Sequence, residues 1–187
     1  MWLKYRNSTK GKTLTASFIG KGLTEIITPK SEEIEEVRNW NVLSPDSPMP
    51  FLALAALGEY GVVIGLGREV SLGHFDKNIA DAIGSTIHSE LIDKLVESGK
   101  TQAPHEDLLS QLSALCQQVD AAYSKDEDDY LKSGMGAGMA IYHAMGNNDD
   151  TPNPEDLFRY SSVIHIGTVA AVSLFDDLWN KNVRIVN

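Results

Sequence analysis

Between Asp76 and Ser98 the chain sets Ile79, Ile83, Ile87, Leu91 and Leu95 at steps of four. That spacing gathers five large apolar side chains on one stripe of a helix, and such a stripe is stable only when other elements cover it. Gly99 follows, a residue that ends helices. The rest of the chain supplies matching faces. Glu106–Tyr123 repeats the pattern with Leu108, Leu112, Leu115, Val119 and Ala122. Asn153-Pro154-Glu155-Asp156 is a helix start, with an Asn cap, a proline in the first turn and acids after it. The helix it opens should run to about Trp179. From Val163 to Phe175 it is apolar nearly all round, which predicts the central helix of a bundle.

The first half is less regular. Lys12–Gly20 alternates Leu14, Ala16 and Phe18 with Ser and Thr, as a strand would; read onward to Ile27, it is a helix weakened by Gly20 and Gly22, and helix is the preferred reading because everything after it reads helical. Ser31 is a good cap for a short helix whose first turn carries glutamates, as the helix dipole favours. Leu43–Pro50, with its prolines, reads as a loop. Phe51–Gly67 is the most apolar segment. It contains Glu59 and several glycines, is shorter than a typical membrane span, and reads as core, with helix or strand open toward Gly61–Gly67. The expected fold is mainly α: a compact single domain over residues 1–187, a bundle of roughly six to eight helices. Residues 1–50 form a less regular N-terminal segment, with minor β structure an option there, and residues 51–187 the helical core.

Gly134, Gly136 and Gly138 alternate in the segment Ser133–Gly146. A phosphate-binding loop needs an apolar strand before such glycines. Here the preceding residues are Lys125–Lys132, rich in carboxylates, and no Gly-Lys-Ser/Thr follows. Gly134 and Gly138, with Ala137, Ala140 and Ala144, instead form a small-residue face on a helix spanning about Tyr130–Met145. Gly167 and Ala171 are the expected partners of that face. A weak internal echo aligns Ile83–Leu95 with Ile166–Leu178, matching Ile, Gly, Leu, Asp and Leu, and Phe75 with Phe158. Chance likeness of two amphipathic helices explains it more readily than duplication does.

The chain carries a net charge of −10 over 187 residues. Residues 1–30 hold +5, the remainder −15, and residues 101–160 alone −8. A body so acidic repels nucleic-acid phosphates and anionic membranes and suits a basic partner. The single cysteine, Cys116, excludes an intrachain disulfide and agrees with a reducing compartment. With no secretory pattern at the N-terminus, the expected location is cytoplasmic.

Familiar catalytic signatures are missing. His74, His88, His105, His143 and His165 include no pair four apart, and none follows a glutamate by three. The helical zinc-hydrolase and di-iron motifs are therefore absent. Cys116 lies beside an apolar stripe and reads as an inert buried thiol. No Gly-x-Ser-x-Gly elbow exists. Pro152 occupies the place where a calcium loop needs glycine.

Two sets of carboxylates remain. Glu32, Glu33 and Glu36 resemble the first metal-binding motif of the all-helical nucleoside triphosphate pyrophosphatases. That family pairs it with Glu and Asp three apart, a spacing Glu90 and Asp93 share, although they lie 54 residues beyond Glu36. The resemblance implies a magnesium-dependent nucleotide phosphohydrolase, in which those five carboxylates hold the ion. The second set, Asp126, Glu127, Asp128, Asp129, Asp149 and Asp150, flanks the glycine-rich helix at both ends. It suggests a surface for a basic protein partner. In general character such a chain resembles the acidic immunity and antitoxin proteins that neutralise a basic toxin or nuclease. The leading expectation is such a non-catalytic, cofactor-free binding protein, with no direct contact to nucleic acid or membrane. The phosphohydrolase is the alternative.

Overall fold

The Asp76 side chain accepts a hydrogen bond from the Asn78 backbone N–H at 2.8 Å, closing the first turn of the helix that the isoleucine ladder predicts. In the computed structural model, which describes residues 9–39, 46–74, 76–123 and 154–183, that helix spans Lys77–Glu97. It ends where Gly99 takes φ of +64°, a conformation that costs other residues a clash at Cβ. Five more helices are described: α1 (Thr9–Ile27), α2 (Ser31–Asn39), α3 (Met49–Ser71), then Lys77–Glu97 as α4, α5 (His105–Tyr123) and α6 (Pro154–Val183). There are no strands among the described residues. The fold is mainly α and compact, as the apolar periodicity predicts.

Thr9–Ile27 is one helix, the reading preferred from the sequence, and it runs through Gly20 and Gly22; several other boundaries depart from expectation for local reasons. Thr24 and Thr28 return their hydroxyls to the carbonyls of Gly20 and Thr24, so the β-branched residues support the helical backbone here. Among the described residues, α1 and α2 thus lie within the first fifty, and α3 starts at Met49. The cap of α2 is Lys30 and not Ser31: its carbonyl receives the Ile34 N–H, and Glu33 reaches back to its N–H at 2.7 Å. The segment read as core with an open end is helical throughout, and α3 begins inside the expected loop, with Pro50 in its first turn.

The central helix is α3, a correction to the expectation for α6. It packs on every other described helix, and most extensively on α6. At 23 residues it is long and apolar enough to cross a membrane, yet 78% of its most apolar window is buried by the other helices. Helix α6 covers it from one side only, leaving Phe158, Ile166 and Val169 exposed. Its sequence is apolar nearly all round, but among the described residues it packs only on α3 and, less extensively, on α1.

What brings α3 and α6 together is a seam of small residues. A Cβ added at Gly61 would collide with the backbone of Ile164, and one at Gly167 would lie 2.8 Å from the carbonyl oxygen of Gly58. Ala171 rests against Gly65. Across this gap Thr168 donates its hydroxyl proton toward the carbonyl oxygens of both Gly61 and Ile164, each at 2.9 Å. So Gly167 and Ala171 do mark a close helix crossing, but the partners in the described structure are Gly58, Gly61 and Gly65. Gly134, Gly136, Gly138 and the rest of Ser133–Gly146 lie outside the described residues.

The aligned echo does not survive as equivalence of environment. Ile83 is fully buried, whereas its counterpart Ile166 is 54% exposed. Gly84 faces open space, whereas Gly167 is in backbone contact.

Candidate functional site

Glu59 sits in the middle of α3, in an otherwise apolar run, and is only 8% exposed. A carboxylate so placed needs a partner, because desolvation strongly disfavours a lone charge. Two neighbouring helices answer it. On α4, His88 follows Ile87 of the buried ladder and so lies on the flank of the stripe. Its Nδ1–H donates to both Glu59 oxygens, at 2.8 and 2.9 Å. On α5, Cys116 flanks the Leu112–Leu115–Val119 stripe, and its thiol donates to Glu59 Oε2 at 3.6 Å. Ser113, one turn before Cys116, places Oγ 3.1 Å from His88 Nε2. One residue past Glu59, Tyr60 donates a hydrogen bond to Asp120 of α5. Three helices thus converge on one buried polar knot.

The pKa directions follow from the geometry. The hydrogen bond to Glu59 raises that of His88; burial opposes it, and the Glu59 charge and the Leu109 backbone add to the rise. Burial pushes the Cys116 thiol up, with the Glu59 charge and hydrogen bond reinforcing it, so the sulfur stays protonated. The directions favour one proton held between His88 and Glu59 and another kept on the Cys116 thiol.

The order Ser113–His88–Glu59 has the connectivity of a hydrolase triad, but its chemistry differs. The raised His88 value disfavours the unprotonated ring that a base acting on Ser113 would need. Ser113 lies inside α5, where backbone N–H groups are spent on helical bonds, so the usual oxyanion donors beside a nucleophile are not at hand. The arrangement ties α3, α4 and α5 together through His88 and Glu59.

A pH dependence follows. The His88 pKa is raised above its ordinary 6.5, so its pairing with Glu59 contributes stability that is fully present below that value. The contribution is lost as pH rises through the higher folded value. In chelator-treated protein the midpoint of thermal unfolding should fall as the solution passes from pH 6 into the alkaline range, by a few degrees, about 2–4 °C per kcal/mol lost. His88→Gln should flatten that slope. An equal slope in both proteins would mean that other groups carry it.

The carboxylates singled out in the sequence lie elsewhere. Glu36 pairs with Arg159 of α6, Glu90 with Lys21 of α1 at 3.2 Å, and Asp93 with His105 at 3.2 Å. Glu33 caps α2, and Glu32 is exposed in the same first turn. Helix α2 packs on α3 and not on α4. The cleft between α2 and α4 is lined by Arg38, Lys94 and Lys100, cations that oppose a magnesium ion. The structure does not gather these five residues. Asp126, Glu127, Asp128, Asp129, Asp149 and Asp150 lie outside the described residues, as does His143. Among the described residues, the group able to offer three metal-ligating atoms within 4.8 Å of one another is Glu59, His88 and Cys116. Local motif spacing gives no sign of it, because its members are 29 and 28 residues apart. The signal that was present is the lone glutamate in the most apolar segment.

A second feature lies on the opposite flank of α3. The exposed side chains of Phe158 and Ile166 on α6 and Ile26 on α1 border two adjoining shallow grooves over Leu54 and Val163. Glu33 and Glu36 of α2 lie along one wall, where Glu36 pairs with Arg159 of α6 and Lys30 adds a second cation at the rim.

Compared with known proteins, the chain matches no family model, and neither a curated protein nor a solved structure matches it.

Proposed function

We propose that this chain is a non-catalytic binding protein that engages a basic protein partner through an acidic surface, in the manner of immunity and antitoxin proteins. The observation that carries the reading is the groove bordered by Phe158, Ile166 and Ile26 with Glu33 and Glu36 along its wall. Phe158 is 69% exposed and Ile166 54%. Large apolar side chains clustered at a charged rim have the anatomy of a recognition surface. The overall charge of −10 selects the sign of the partner. An apolar side chain flanked by Lys or Arg would fit: the apolar group into the groove, and the cations drawn by the acidic field of the whole molecule, with one of them competing with Arg159 for Glu36. Asp126, Glu127, Asp128 and Asp129 would extend the acidic field that draws the partner in. A basic toxin or nuclease has the required charge, and the binding itself needs no cofactor. The helical, acidic character and the reducing-compartment composition suit a cytoplasmic setting.

The test separates contact from steering. A photo-crosslinking residue at Ser162, beside the groove, identifies what docks there, and the purified partner is then studied kinetically. Phe158→Ser with Ile166→Ser should raise the dissociation rate by about tenfold or more, since buried apolar anchors dominate interface energy. Asp126→Lys, Glu127→Lys and Asp129→Lys together should slow association at low salt by about tenfold, with the difference shrinking as salt rises. Unchanged dissociation in the first variant removes the groove from the interface. Salt-independent, unchanged association in the second removes the acidic cluster.

A further inference from the structure

We propose that Glu59, His88 and Cys116 form a binding site for one borderline-soft divalent cation of the zinc class. The donor set is the first reason. A thiolate, an imidazole and a carboxylate together suit zinc or cobalt and not magnesium or calcium, which take oxygen ligands. The geometry is the second. The three ligand atoms lie within 4.8 Å of one another, and the separation of Cys116 Sγ from Glu59 Oε2, 3.6 Å, matches the edge of a zinc tetrahedron, about 3.5 Å for bonds of about 2.0–2.3 Å. His88 Nδ1 and Glu59 stand at 2.8 Å because a proton holds them. A metal in place of that proton would open the pair by about 0.5 Å.

The surroundings of His88 are the third and independent reason. When Nδ1 ligates a metal, Nε2 should donate its proton to a fixed acceptor, which sets the ring orientation. Ser113 Oγ stands 3.1 Å from Nε2, and the Leu109 backbone also bears on the ring. The outer support of a ligating imidazole is already built. Charge also balances. Entry of M²⁺ displaces the proton between His88 and Glu59 and the thiol proton of Cys116, both released to solvent. Two anionic ligands then neutralise the cation, so a neutral buried knot stays neutral. Three protein ligands leave a fourth position for water. The His88 side chain is 24% exposed, which provides a route in.

Cobalt and zinc titration of chelator-stripped protein tests the site. Cobalt should give one equivalent of binding with a near-ultraviolet sulfur-to-metal charge-transfer band and intense tetrahedral visible bands, both removed by stoichiometric zinc. Zinc should raise the unfolding midpoint by several degrees. Cys116→Ser should abolish the charge-transfer band, and His88→Gln should abolish tight binding. Ser113→Ala, which removes support and not a ligand, should weaken cobalt by about 10–100-fold. Circular dichroism confirms that each variant is folded; should His88→Gln fail to fold, the near-isosteric Cys116→Ser still decides. Absence of the charge-transfer band in the wild type overturns the proposal. So does zinc stabilisation equal in the wild type and Cys116→Ser, which would place the ion on surface histidines or carboxylates.

Discussion

Gly61→Leu is expected to lower the unfolding midpoint by about 10 °C. The reason is the seam between α3 and α6. A Cβ at Gly61 meets the carbonyl, carbonyl carbon and Cα of Ile164, which are backbone atoms and cannot swing aside. Leucine adds three more carbons in the same direction. Overpacking of side chains alone costs about 1–3 kcal/mol. Here the helices must separate, which also breaks the bond from Thr168 to the Gly61 carbonyl, so a cost of about 3 kcal/mol or more is expected. Gly84→Ala is the control. Nothing lies within 4 Å of a Cβ there, so alanine should stabilise α4 by up to about 1 kcal/mol. Thermal melts of the two variants should move in opposite directions. Little change in Gly61→Leu would mean that α3 and α6 do not touch at that point.

The second large effect belongs to the Glu59–His88 pair. Removing one member of a buried ion pair costs about 3–5 kcal/mol, because the other charge is stranded. His88→Leu should approach that value in metal-free protein, since the 8%-exposed Glu59 then keeps only the weak Cys116 thiol donor and nearby solvent. Glu59→Leu should cost less, since His88 can shed its proton and become neutral. The double variant should recover most of the loss, because leucines at both places match the apolar neighbours Ile87 and Leu112. Denaturant unfolding of all four proteins gives the coupling energy, expected at about 2–3 kcal/mol. Additive effects would show that the two side chains act independently and would dissolve the knot as a unit.

The helices were legible because their cause is local. Steps of four from Ile83 to Leu95, the Asp76 cap and the Gly99 stop each act within a turn, and the chain declares them without reference to anything distant. The centre of the bundle was not. Both Phe51–Gly67 and Val163–Phe175 are apolar around most of their circumference. Which of them has neighbours on all sides depends on the packing of the whole chain. The same holds for the small-residue seam: Gly167 and Ala171 announced a close contact, but the choice among several glycine-bearing helices was not encoded in them. The polar knot was hidden most deeply. Glu59, His88 and Cys116 stand on three helices, and each alone looks like an ordinary residue at the edge of an apolar stripe. Only Glu59, a charge where the sequence otherwise permits none, hinted that something must come to meet it.

The seam between α3 and α6 also sets an order of events during synthesis. The hydroxyl of Thr168 and the carbonyl of Gly61 are 107 residues apart, and the covering helix does not begin until Pro154. While the ribosome makes the intervening chain, the most apolar helix of the protein has one flank unclothed. At about 5–20 residues per second that interval lasts several seconds, long compared with collapse of the helices already made. Over that time α1, α4 and α5 can settle around three sides of α3, but the fourth side waits. The nascent chain therefore carries a sticky surface that the finished protein does not, and the last helix acts as the closing stave of the barrel.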